Sequence, residues 1–151
     1  MKTRPQQLVV CAALGALSIV TVSLAPRAAL AAPPATVATC DGIKSAYPVL
    51  GAQCANSYAK ISHAPNTAAK RLTTYKARVA VVQIFQKAML CNGMYGANQS
   101  AQQAFSQGEE GHLQAISNLH NAMMAAGDPG IPALYTEDDL KTITMKKQQC
   151  K

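Results

Sequence analysis

The sequence predicts an all-α protein, a small four-helix, up-down bundle-like domain stapled by two disulfides. Three observations carry this prediction. Apolar residues recur at steps of three and four along most of the chain, the spacing of helices that face a core. Runs of alternating β-branched residues and internal repeats are both absent. Four cysteines, an even number, remain once a leader-like N-terminus is set aside.

Residues 1–31 have the layout of a cleaved secretory signal peptide. Lys2 and Arg4 supply the positive end, Leu8 to Leu24 is an uncharged apolar run, and Ala29, Leu30 and Ala31 give the small-x-small pattern of a cleavage site. Cleavage after Ala31 removes Cys11 and three cations and leaves 120 residues, with eleven cations against seven acids, a net charge of +4. The expected product is periplasmic or secreted, with no stable membrane anchor after cleavage. Residues 32–39, with Pro33 and Pro34, read as a flexible lead-in, and residues 40–151 as one helical domain.

The first stripe is Ile43, Tyr47, Leu50, Cys54, Tyr58 and Ile61, interrupted by Pro48, where a helix either starts or kinks. His63 to Asn66 form a turn, and Asn66 or Thr67 caps the second helix, whose stripe runs through Ala68, Leu72, Tyr75, Val79, Val82 and Met89 and is widened by Val81 and Phe85. Asn92 and Gly93 offer its stop. The third helix is expected over about residues 99–126, closed by Gly127. Gly108 and Gly111 weaken its middle, and Ser106 with Glu109 reads as a capping box that restarts it. Thr136 and Asp139 open a fourth helix that descends to Cys150, with acids in its first turn and lysines at its end, as the helix dipole favours.

An exported chain with Cys40, Cys54, Cys91 and Cys150 is expected to form two disulfides. Levels in an up-down bundle, counted at 1.5 Å per residue, place Cys40 beside Cys91 and Cys54 beside Cys150. That pairing rests on the bundle topology and on Cys40 to Tyr47 being roughly helical, since an extended start would move Cys40 several ångströms.

The chain has no Gly-rich phosphate loop and no G-x-S-x-G, H-E-x-x-H or C-x-x-C motif. Glu109, Glu110 and His112 are its one tight titratable cluster with a general-base candidate, and such a cluster more often dresses a helix N-terminus than performs acid-base chemistry. A non-enzymatic role is the expectation. Between Asp41 and Glu109 there is no acid, yet seven cations fall there. Lys70, Arg71, Lys76, Arg78 and Lys87 on the second helix form the expected partner-binding set, directed at an acidic protein partner as an inhibitor or immunity-type protein would be. Nucleic acid is disfavoured because no aromatics interleave with these charges.

The alternative is a carrier of haem or copper. It would use His112, His120 and Met123 of the third helix, with Tyr58 and His63 as further ligands. The leading expectation needs no cofactor. Partner identity and oligomeric state are not legible in the residues.

Overall fold

Pro48 decides the shape of the N-terminal third. A proline has no N–H to donate and keeps the preceding residue out of helical geometry, and Tyr47 accordingly adopts φ −136° and ψ 83° with Pro48 in the first turn of the next helix. The computed structural model describes residues 37–96 and 98–150. The signal-peptide reading and residues 32–36 of the expected lead-in lie outside the described residues. Helix α1 is Val37–Ala46, so it starts inside the segment expected to be a lead-in, and α2 is Pro48–Tyr58. The two fold back on each other as a tight antiparallel hairpin. Gly51 makes this possible, because a Cβ there would run into the Lys44 backbone.

This hairpin overturns the expected bridges. Cys40 and Cys54 each lie seven residues from Tyr47, so folding the chain at Tyr47 brings them level, and they form one disulfide with Cα atoms 5.5 Å apart. The other joins Cys91 to Cys150, also at 5.5 Å. The Cys40–Cys91 and Cys54–Cys150 pairing fails because its continuous first rod does not exist.

Helix α3, Ala68–Met94, is the central rod, about 40 Å long at the standard rise. Thr67 caps it by accepting from the Lys70 N–H, as the sequence predicts. It packs against α2 on one side and α4 on another, which explains why its buried face is broader than the predicted stripe and includes Thr74, Ile84 and Ala88. Asn92 ties the α3–α4 turn together: its Nδ2 donates to the Asn98 carbonyl and to Gln102 Oε1, both at 3.0 Å, and its Oδ1 accepts from the Asn98 N–H.

Helix α4, Gln99–Ala126, ends at Gly127 in the left-handed conformation, φ 64°. The chain does not restart at Ser106; α4 is continuous. Gly108 in its middle is the seat of the Phe85 ring, which a Cβ would approach to 2.9 Å.

The fourth expected helix shrinks to α5, Glu137–Lys141, opened by Thr136 with Asp139 Oδ2 accepting from both its N–H and its hydroxyl. The β-branched run Thr142, Ile143 and Thr144 lowers helix propensity where the rod would continue. The segment instead returns to Cys91 through a 3-10 turn at Lys147–Gln149.

Four helices of substantial length and two disulfides define the fold, and no strand occurs among the described residues. Two buried clusters fill it. One joins Ile43, Leu50, Ile84, Phe85 and Phe105 with all four cysteines; the other joins Tyr75, Val82, Ile116, Leu119, Met123 and Leu140.

Candidate functional site

The expected cationic set divides into three groups. Arg71 is committed to Asp128, with Nε donating to Oδ2 and Nη2 to Oδ1, each at 2.6 Å, and the Asp128 side chain is only 5% exposed. The guanidinium hydrogen bonds hold this carboxyl below the usual aspartate range. Arg78 turns inward, where burial lowers its pKa, and its Nη1 lies 3.3 Å from His112 Nδ1. Lys70 and Lys76 are exposed and Lys87 is half-buried. The five cations therefore do not act as one face.

Lys60 joins the surface in their place. The turn after α2 brings Lys60 and Ser62 back onto the start of α3, where they line a shallow groove of about 190 Å³ with Ala69, Lys70, Thr73 and Thr74. Thr74 Oγ1 accepts from the Ser62 N–H at 3.2 Å and fixes the turn. Among the described residues, no ion pair involves Lys60, Lys70 or Lys76. The sequence signal for Lys60 was its place at the end of the α2 stripe, beside a turn rich in Pro and Asn.

A second groove, of about 280 Å³, lies between α4 and the segment leading into α5. Leu113, Leu134 and Tyr135 give it an apolar lining and Glu110 and Glu137 give it acids.

The histidines of the carrier reading do not converge. His112 is fully buried, edge-on to Tyr58 with ring centroids 6.3 Å apart and 5.8 Å from the Phe85 ring. His120 is half-buried against Tyr75. Met123 belongs to the second apolar cluster, and His63 is exposed in the first turn. No group of three His, Cys, Asp or Glu residues placed to hold a metal ion occurs among the described residues.

His112 has its own electrostatic character. Because the Arg78 guanidinium can only donate, His112 Nδ1 accepts, which puts the proton of the neutral ring on Nε2. That Nε2 has no partner. Burial first, and then the Arg78 charge, push the His112 pKa down to about 4. Glu109, one turn earlier on α4, has a buried Oε2 without a partner, and burial, then Glu137, push its pKa up to about 7.

The chain matches no family model, no curated protein and no solved structure. The functional reading rests on the geometry above.

These two groups pull stability in opposite directions. His112 prefers the neutral form in the fold, so its contribution is complete above pH 6.5 and is lost as the pH falls toward 4. Glu109 prefers the protonated form, so its contribution is complete below pH 4.5 and is lost as the pH rises toward 7. Glu109 is the more exposed of the two, and solvent screening weakens its term. Urea denaturation from pH 4 to pH 8 is expected to show a gentle maximum near pH 6.5. Glu109→Gln is expected to steepen the loss on the acid side, and His112→Gln to leave a stability that declines as pH rises through 7. Unchanged pH profiles in both variants would show that neither group titrates in this way.

Proposed function

We infer that the protein is an exported, non-catalytic binding protein that holds an acidic partner protein against the groove at Lys60 and Lys70. The observation that carries this reading is a pair of lysines, in no ion pair among the described residues, flanking a groove with hydroxyl groups in its wall. An ammonium without an internal carboxylate keeps its charge available for a partner's acids, and such complementarity steers association and fixes register. Two disulfides fit an oxidising, non-cytoplasmic environment, and no described helix is long and apolar enough to cross a membrane. With the leader-like N-terminus, this favours a periplasmic or secreted location. A non-catalytic role is supported by the fate of the one titratable cluster, since His112 is sealed in the packing.

The test is affinity capture from envelope or culture-medium extract at low and high salt. Wild type is expected to retain a partner that salt releases, and Lys60→Glu with Lys70→Glu is expected to weaken capture by about 100-fold, as reversal of two contacting charges does. Equal capture by the variant would sink the reading.

The second reading, a haem or copper carrier, would need the lone pair of His112 Nε2, the nitrogen that holds the ring's proton while Arg78 donates to Nδ1. A ligand would have to open the packing around a fully buried ring to reach it. Haem titration read by visible absorption decides, and a spectrum identical in wild type and His112→Ala removes it.

A further inference from the structure

The end of the molecule remote from the Lys60 groove carries a surface of another kind. Here the end of α3 at Met94 and Tyr95 meets the 3-10 turn at Lys147–Gln149, and the α1–α2 bend at Tyr47 is at the same end, since α2 runs from it to the turn tied to the start of α3. Met94 is 38% exposed and Tyr95 51%, and Val49, two residues past the bend, is 55% exposed. The Tyr47 phenol has its pKa raised by burial and then by Tyr95.

This end is built rather than frayed. The Cys91–Cys150 bridge pins the C-terminal segment to α3, Tyr95 Oη donates to the Lys147 carbonyl at 3.1 Å, and the Lys147 ammonium stands 4.8 Å over the Tyr95 ring. Lys146 and Lys147 are exposed, and Lys147 stands beside Tyr95.

Carboxylates of the described residues keep away from it. Asp41 lies six residues before the bend, about 9 Å along α1, and Glu109 eleven residues past Asn98, about 16 Å along α4. Asp128 is paired with Arg71 at the start of α3, and α5 packs through Leu140 into the second apolar cluster.

We propose that this end rests on an anionic lipid surface, with Met94 and Tyr95 entering the headgroup region and Lys146 and Lys147 meeting lipid phosphates. Tyrosine suits the membrane interface because its ring is apolar and its hydroxyl polar. Lysine keeps its ammonium among phosphates while its stem lies along apolar surface, and an anionic leaflet attracts clustered lysines at short range. A bilayer also fits the shape. The exposed residues lie at one end of the long α3 rod, and both described grooves lie elsewhere.

The experiment uses the chain from Ala32 onward with Met94→Trp as reporter, which is clean because the sequence contains no Trp. Vesicles of phosphatidylcholine with phosphatidylglycerol are compared with phosphatidylcholine alone. On the anionic vesicles the expected result is a blue-shifted emission and cosedimentation, with Lys146→Glu plus Lys147→Glu weakening binding by about ten-fold or more. Lys60→Glu plus Lys70→Glu is expected to leave vesicle binding within about two-fold, and circular dichroism checks that each variant is folded. The proposal is overturned by an unshifted emission, by equal binding to neutral vesicles, or by equal weakening from the two charge reversals. It is equally overturned if Lys146→Glu with Lys147→Glu abolishes capture of a protein partner while vesicle binding persists.

Discussion

Replacing Cys91 and Cys150 together by alanine is expected to lower the unfolding free energy by about 4 kcal/mol, against about 3 kcal/mol for Cys40 and Cys54. The difference comes from the unfolded chain. The first bridge closes 59 residues and the second 14, and a longer loop loses more freedom when it is closed. Urea denaturation of the two double variants without reductant measures both. The local consequences differ as well. Without the Cys91 bridge, the segment after α5 keeps Ile143 against the second apolar cluster, Met145 against the first and the Tyr95 contacts with Lys147 as its attachments, so amide exchange is expected to accelerate over residues 144–150 and to stay slow at Leu140, which is buried. A reversed order of stabilities would mean that packing, not the bridge, holds this segment.

The second large effect is expected at Phe85. Its ring is fully buried and lies against Gly108 and His112, and Phe85→Ala is expected to cost about 3–5 kcal/mol through lost burial and the cavity left behind. Gly108 makes the result diagnostic. In wild type, Gly108→Ala pushes a methyl group into the Phe85 ring and is expected to destabilise by about 1–3 kcal/mol. In the Phe85→Ala background that methyl meets open space, and alanine is the better helix former by about 1 kcal/mol. The sign of the Gly108→Ala effect is therefore expected to reverse. A double-mutant cycle by urea denaturation measures this coupling, and simple additivity would show that the ring does not sit on Gly108. In Phe85→Ala, water gains access to His112, so its pKa is expected to rise from about 4 toward the usual 6.5, read by NMR titration.

Local signals in the sequence carried the helix ends well. Thr67, Gly127 and the Thr136–Asp139 pair each do what their residue types favour, because a cap depends on neighbours three or four positions away. Distant pairings were not legible. Pro48 announces a break but not its angle, and the fold-back depends on Gly51 meeting Lys44, a contact that no periodicity encodes. The disulfide partners followed that angle and were misread with it. Arg71 looked like a free cation because its acid, Asp128, lies 57 residues away. Arg78 was counted in the partner-binding set because periodicity shows which face of a helix is apolar but not which charged side chain is drawn inward. Lys60 became part of the candidate groove only when the turn had been traced. Gly108, which seemed a weak point of α4, is a socket.

The hairpin also bears on how the bridges are made. Its cysteines are the first two of the folded domain, and the other bridge uses the last two. If the chain is exported N-terminus first, as proposed above, Cys40 and Cys54 meet before Cys91 arrives, and their hairpin needs only contacts local in sequence. Cys91 then waits for the one thiol still to come. Consecutive pairing of this kind lets the order of delivery choose the partners, so correct bridging needs no later reshuffling.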